Sequence, residues 1–421
     1  MLPLDFIRRD AERVRFCAEW KGEAAPVDEI LRVDARWRRA QTAAEEARAE
    51  QNRISKEFGR TRDQALLGQV KRLAGDVKSL GAEAETLRER LDALLLEVPN
   101  VFDESVPLGR DESGNVVVRE WGSKPSFAFE PRPHYELGET LGVLDLERAA
   151  RVSGSRFAFL KGDGSALNRA LAQFMLDLHT REHGYLEISP PFLVNSAAML
   201  GTANLPKFAE DAFRVEGYDL WLVPTAEVPV TNYRREEILD ASELPLKFVA
   251  WSPCFRSEAG SAGKDTRGYI RQHQFEKVEL VKLCTPETSM EEFEALTRDA
   301  EMVLQRLGLH YRAVSMCSGD MGFAQYKKYD LEVWAPGVGR WLEVSSCSLF
   351  NDFQARRASL RYRPAAGQPP QYLHTINGSG LALLRTWTAV VETYQTVEGT
   401  VLVPDVLRPF MGGRSEIVPA G

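Results

Sequence analysis

Cysteine is scarce and unpatterned in this sequence. The five in 421 residues (Cys17, Cys254, Cys284, Cys317 and Cys347) are scattered, odd in number and form no CxxC pair. That argues against a disulfide framework and against a Cys-rich zinc site. Long apolar runs are also missing, and none approaches the roughly 18–20 residues needed to cross a bilayer. The N-terminus, MLPLDFIRRDAERVRF, lacks the apolar stretch and small-residue cleavage site of a signal peptide. A cytoplasmic protein with no membrane partner is therefore expected. Positive charge is in deficit: the formal net charge is −8, so any nucleic-acid binding must come from a local basic patch. Several nucleotide and metal motifs are absent as well. There is no GxxxxGK(S/T), since Gly263-Lys264 stands alone, no GxGxxG behind a strand and no HExxH. With six histidines and no local Ser/His/Asp arrangement, a protein nucleophile has no support.

What is present starts with an ordinary globular composition, 44% hydrophobic, enough for one large core and a smaller second unit. Residues 4–20 read as one short amphipathic helix with Ile7, Ala11, Val14 and Ala18 on one face. Beyond it, Ile30, Val33, Trp37, Ala40, Ala44, Ala47, Gln51, Ile54 and Phe58 alternate spacings of 3 and 4. After a break at Gly59, Leu66, Val70, Leu73, Val77, Leu80, Ala84, Leu87, Leu91 and Leu94 do the same. A sustained 3.5-residue apolar repeat is the coiled-coil pattern, and two such segments joined by a few residues fold back as an antiparallel pair. The arm spans about residues 27–98, with Thr61 and Gln64 as an expected capping box for its second helix and Pro99 closing it. About 30 residues per helix makes it on the order of 45–50 Å long. Residues 48–72 carry Arg48, Arg53, Lys56, Arg60, Arg62, Lys71 and Arg72 against Glu50, Glu57 and Asp63, a balance of 7 − 3 = +4. A basic arm on an acidic chain suits a phosphate backbone. A dimerisation coiled coil with a solvated surface is the plainer alternative. Gly68, Gly75 and Gly81 lie off the seam and weaken the second helix, so the arm is expected to be mobile without its ligand.

The rest reads as α+β: an antiparallel sheet flanked by helices. Residues 99–165, rich in turn formers, read as a connector, with the domain boundary placed at 108/109. A helix from Ala166 ends near Gly184, and Tyr185 to Val194 reads as a strand broken by Pro190-Pro191. Strands over 246–256 and 269–283 flank a Gly/Ser-rich loop, 257–268. A helix over 288–307, opened by a Ser289/Glu292 capping box, is followed by strands near 311–316 and 328–346 and a helix near 380–396. In 269–283, Arg271, Phe275 and Glu279 share one parity and so one face. That face is a poor core. It is either a binding surface or an exposed strand with a solvated ion pair.

Three segments carry a resemblance. Gly184 to Phe192 (GYLEISPPF) looks like motif 1 of the class II aminoacyl-tRNA synthetases. Phe255-Arg256-Ser257-Glu258, a loop, and Arg271 to Phe275 look like motif 2. Gly378 to Arg385 looks like motif 3. HIGH and KMSKS, the marks of the other synthetase class, are absent. Thr225-Ala226-Glu227, FRSEAG, HQFEKVE, EVSSCS (Glu343 to Ser348), FQARR and Asn377 to Gly380 are together similar to the seryl-tRNA synthetase family. With the arm, the resemblance spans essentially the whole chain.

That resemblance implies serine activation by ATP with Mg²⁺, then transfer to tRNA(Ser), whose long variable arm the hairpin would grip. A selenocysteine tRNA would be a further substrate where one exists. It implies a homodimer built on motif 1. Residues 1–108 would bind tRNA and 109–421 would catalyse. Arg256 would hold the α-phosphate and the serine carboxylate, and Arg385 the γ-phosphate. Glu258 would meet the adenine amino group and Phe275 would stack on the ring. Ser257, Arg271, Gln272, Val344 and Ser345 would complete the ATP site. Glu343 and Ser346 would bind Mg²⁺, whose preference for hard oxygen ligands they satisfy. Thr225, Ala226, Glu227, Glu279, Asn377 and Ser379 would form the serine pocket, where buried polar groups left unpaired by alanine or glycine discriminate without editing. Gly378 and Gly380 would let ATP approach the backbone. Ala382 stands where the general motif 3 has a third glycine. Leu384 and Trp387 are bulkier than the pattern expects, which bears on the packing beneath the γ-phosphate site. Two other readings remain: a paralogue that passes the adenylate to a carrier protein, and a silent RNA-binding homologue.

Overall fold

A computed structural model describes residues 1–259 and 268–419; residues 260–267 of the expected 257–268 loop lie outside it. The chain forms two compact units, Met1–Val101 and Phe102–Gly421. The division falls before the expected 108/109, because the intervening segment is bonded to the second unit. The Asp103 amide donates to the Tyr326 carbonyl at 3.0 Å, and the Ser318 amide donates to that of Pro107 at 2.9 Å.

In the first unit the expected single helix over 4–20 is two: α1 (Leu4–Arg9) and α2 (Ala11–Trp20). Asp10 breaks the path at φ −138° and its carboxylate accepts from the Arg13 amide, capping α2. The hairpin is α3 (Val27–Thr61) and α4 (Gln64–Leu96). The expected Thr61/Gln64 capping box does not form. Thr61 ends α3 with its hydroxyl on the Glu57 carbonyl, Arg62 turns the chain at φ +57°, and Asp63 caps α4 by accepting from the Ala65 amide at 2.9 Å. Ile30, Ala84, Leu87, Leu91 and Leu94 are buried, but nothing from 61 to 80 is. Toward the tip, two helices alone only half cover their seam.

The second unit is built on one sheet. In chain order its strands are β1 (Val116–Trp121), β2 (Leu186–Glu187), β3 (Leu246–Phe255), β4 (Gln274–Cys284), β5 (Tyr311–Ser315), β6 (Lys327–Ala335), β7 (Arg340–Asn351) and β8 (His374–Ala382). In space they run β1-β5-β6-β7-β8-β4-β3-β2, antiparallel except for β2 on β3. The main helices are α5 (His134–Thr140), α6 (Gly162–Arg181), α7 (Ser289–Arg306) and α8 (Leu383–Thr393). Residues expected as a mere connector thus supply an edge strand and a helix. The expected strand 185–194 splits at its prolines: Leu193–Val194 pairs with Trp221–Leu222 in a separate small sheet. Residues 269–273 precede β4 rather than belong to it, and 328–346 is a hairpin of two strands. The expected final helix starts only at Leu383, because β8 runs through Ala382. At α7 the Ser289 hydroxyl donates to the Pro286 carbonyl and Glu292 pairs with Lys282, so no capping box forms.

Helices α6, α7 and α8 cover the sheet with a core that includes Leu171, Met175, Leu296, Leu304, Trp387 and Val390. No helix among the described residues is long and apolar enough to cross a membrane. All five cysteines are buried and unbridged; burial pushes the Cys284 and Cys347 thiols up to about 12.

Candidate active site

The opposite face of β4, β7 and β8 floors a cavity of about 360 Å³, within the range of small-molecule sites. Two irregularities aim its residues. In the β6–β7 ladder, Leu331 faces Ser345 but Glu332 faces Glu343, which leaves Val344 as a bulge residue. Glu343 and Ser346 have opposite parity; the bulge brings both to the cavity. In the β4–β8 ladder Gly380 is the extra residue, between Ser379 opposite Glu279 and Leu381 opposite Val278.

The polar end of the cavity is a buried network around Glu279, itself fully buried. Thr225 Oγ1 donates to its Oε2 at 2.9 Å, Asn377 Nδ2 to its Oε1 at 3.2 Å, and the Lys277 ammonium pairs with it. Asn377 Oδ1 is buried with no hydrogen-bond partner among the described residues, so an acceptor stands ready for a ligand. Glu227 accepts from Gln354 Nε2 at 2.7 Å, and Gln354 Oε1 accepts from the Thr375 hydroxyl at 2.7 Å. Burial first, then the Glu279 carboxylate, push the Glu227 carboxyl up to about 7, against the Gln354 hydrogen bond and the charges of Lys277 and Arg256. Ser345 Oγ donates to the Ser379 carbonyl at 2.7 Å, tying β7 to β8.

The cationic end is set by backbone. The Arg256 amide donates to the His273 carbonyl, its Nε donates to the Pro224 carbonyl at 3.2 Å, and its guanidinium lies 5.2 Å from the Phe275 ring centroid. Arg385, on the first turn of α8, donates from Nε to the Ile270 carbonyl (3.2 Å) and from Nη1 to the Glu343 carbonyl (2.7 Å). Arg271 pairs with Glu258 at 2.7 Å. Burial disfavours the charged Glu343 carboxylate, but Arg385, Lys328, Arg256 and Lys277 outweigh that and hold it below its usual range. The Glu343 carboxylate and Ser346 hydroxyl are hard oxygen donors and fit Mg²⁺. No group of three or more His, Cys, Asp or Glu able to hold a metal occurs among the described residues, so such an ion would draw its remaining ligands from phosphate and water.

Of the residues expected from sequence, Thr225, Glu227, Arg256, Glu258, Arg271, Gln272 and Phe275 line one side of the cavity. Glu343 to Ser346, Asn377, Ser379 and Arg385 line the rest. Three fall elsewhere. Glu279 lies beneath the lining, Ala226 packs with Val230 and Leu239 in a second core, and the Ser257 hydroxyl donates to the Glu210 carbonyl. Gly378 and Gly380 do not open the backbone to a ligand. A Cβ at 378 would meet Leu296 Cδ2 at 2.5 Å, and one at 380 would meet His179 Nε2 at 2.8 Å, both on the helix-covered face. Leu384 lines the cavity, while Trp387 packs beneath it, donating to the Gly164 carbonyl at 3.1 Å. Sequence reasoning missed Lys277, although it has the parity of Phe275 and Glu279 and lies in the HQFEKVE run. It also missed Gln354, in FQARR. Asn204, Phe323 and Lys328 line the cavity without any signal in their spacing.

On the arm, all seven basic residues are exposed. Arg53 is committed to Glu50 (2.6 Å) and Glu57 (3.5 Å); the other six carry no ion pair among the described residues.

Residues 1–102 match the seryl-tRNA synthetase N-terminal domain, and residues 212–394 match the class II tRNA synthetase core domain of the G, H, P, S and T enzymes. The serine–tRNA ligase of Carboxydothermus hydrogenoformans is 51% identical over 98% of both chains, and that of Caldanaerobacter subterraneus subsp. tengcongensis 52% over 98% of both. The crystal structure of Pyrococcus horikoshii seryl-tRNA synthetase complexed with ATP superposes with a TM-score of 0.95 at 38% identity, covering all of both chains. Full-length likeness to these ligases, two matched domains and a shared fold lead to one conclusion: the chain belongs to the seryl-tRNA synthetase family of class II aminoacyl-tRNA synthetases.

Proposed function

We propose that this chain activates L-serine with ATP to seryl-adenylate and passes the seryl group to the 3′ end of tRNA(Ser). The observation that carries the reading is one cavity lined by Arg256, Arg385 and the Glu343 carboxylate and floored by the Glu279 network. Attack of a carboxylate on the α-phosphate brings two anions together, so the protein must supply positive charge and alignment. Arg256 serves the α-phosphate and serine carboxylate, Arg385 the γ-phosphate, and Phe275 with Glu258 the adenine. Glu343 and Ser346 would hold Mg²⁺, which when bound would supply further neutralisation of the triphosphate. Thr225, Glu227, Asn377 and Ser379, backed by the buried Glu279 carboxylate, hold the serine ammonium and hydroxyl; alanine as substrate leaves buried polar groups unpaired.

Residues 1–108 bind tRNA, the exposed cations of the arm meeting the long variable arm, and 109–421 carry the chemistry. The chain works as a cytoplasmic homodimer in this reading; membership of the family supports it, as do the exposed Leu186, Phe192 and Leu193 of the motif 1 stretch. Where a tRNA(Sec) exists, the proposal extends to it as a second acceptor. Serine-dependent ATP–pyrophosphate exchange followed by transfer to tRNA(Ser) tests the reading. Exchange without transfer favours a carrier-protein acceptor, and absence of exchange favours a silent homologue.

A further inference from the structure

The proposed chemistry leaves unused a buried ionisable pair, His134 on α5 and Glu392 on α8, both with fully buried side chains. Glu392 Oε1 takes the His134 amide at 2.9 Å and His134 Nδ1 at 2.7 Å. Its Oε2 takes the amides of Gly337 and Val338, at 2.8 and 3.1 Å, in the turn between β6 and β7. The far side of the ring meets the polypeptide just after the motif 2 loop: the Tyr269 amide donates to Nε2 at 2.9 Å. Because Nε2 accepts, the ring proton must sit on Nδ1, where it is donated to Glu392. The approach is close enough to require glycine beside it. Gly268 has φ +87°, and a Cβ there would stand 2.4 Å from His134 Nε2.

Immediately beyond Tyr269 the chain becomes the cavity wall. The Ile270 carbonyl anchors Arg385 at 3.2 Å, Arg271 pairs with Glu258, and Gln272 Nε2 returns to the Gly268 carbonyl at 3.0 Å. We propose that His134, oriented by Glu392, is a positioning residue for ATP, pinning the returning limb of motif 2 at the Tyr269 amide so that Arg271 and Arg385 stand where the nucleotide needs them. This role rests on the reading of the cavity as a serine-activating ATP site. The pin is one neutral acceptor on one amide, in a dry site where an unmet amide is costly.

Two substitutions separate pinning from packing. His134→Asn places an amide nitrogen near the Nδ1 position and retains the donor to Glu392, but it loses the acceptor for Tyr269. His134→Gln can present an amide oxygen near the Nε2 position and retains that acceptor. In serine-dependent ATP–pyrophosphate exchange, His134→Asn is expected to raise the KM for ATP about tenfold, the effect of one lost hydrogen bond. The KM for serine should stay within about twofold, and His134→Gln should stay near wild type at a similar Tm. Equal ATP KM values in the two variants, or equal rises for ATP and serine, overturn the proposal. Amide exchange gives a second reading on the unsubstituted chain: the Tyr269 amide is expected to be strongly protected without ATP, and rapid exchange there overturns the pin. Wild-type protein with no pyrophosphate exchange would fail the functional reading instead, and the Tyr269 measurement would still stand.

Discussion

A methyl group at Gly378 would press on Leu296 Cδ2 at 2.5 Å and on Cys347 Sγ at 2.9 Å. Both are buried core atoms, so Gly378→Ala is an overpacking change, worth about 1–3 kcal/mol. We expect a lower Tm with an unchanged KM for ATP; a raised KM at unchanged Tm would return the glycine to the nucleotide side. Glu227 gives a pH prediction. Burial and Glu279 raise its carboxyl to about 7, so it is largely neutral at pH 6 and anionic at pH 8. A serine ammonium needs the anion, so the KM for serine should fall as pH rises, by about tenfold between those limits. Glu227→Gln should flatten that profile. At this scale the sequence was informative where a residue's chemistry was unusual for its place, as with phenylalanine and glutamate sharing one face of β4; Arg271 reaches the same cavity from the segment that precedes the strand. It misled where two causes produce the same residue: a glycine beside a ligand and a glycine beneath a helix look alike until the strand's outward side is known. Lys277, midway between Phe275 and Glu279, has the same parity and the same signal.

Among the elements, the hairpin was the most legible, because eighteen seam positions repeat one spacing. Its turn was not, because Thr61 and Asp63 are both sound caps and only the backbone at Arg62 chooses between them. The bulge at Val344 left no trace in the residue pattern either, so the convergence of Glu343 and Ser346 came from resemblance rather than periodicity. Edge strand β1 hides among the turn formers of 99–165, and none of its six residues is buried, so it lacks the alternating pattern of a half-buried strand. In α4 nothing lies within 4 Å of a Cβ built on Gly68, Gly75 or Gly81. Replacing all three by alanine should therefore stabilise the arm by about 2–3 kcal/mol. Amide exchange along α4 should slow while pyrophosphate exchange stays unchanged; no slowing would mean that the arm is already rigid.

The two units of the whole molecule predict two separable losses. Deleting residues 35–90 should abolish tRNA(Ser) binding and spare serine-dependent pyrophosphate exchange, and Glu279→Ala should do the reverse. Loss of both functions in either variant would defeat the division of labour. Because six exposed arm cations have no ion pair among the described residues, tRNA affinity should fall steeply with salt. Lys71→Ala should reduce the slope of log K against log salt by about one. The division itself was visible in the change from heptads to mixed patterning, although its position was set by hydrogen bonds from residues 103–109 that no composition shift announces. The burial of every thiol has a practical outcome. Maleimides and other soft electrophiles should find little to attack in the native protein, so one cysteine introduced at exposed Gln69 on α4 would carry a fluorophore or spin label without background and report the arm's ordering as tRNA is titrated in.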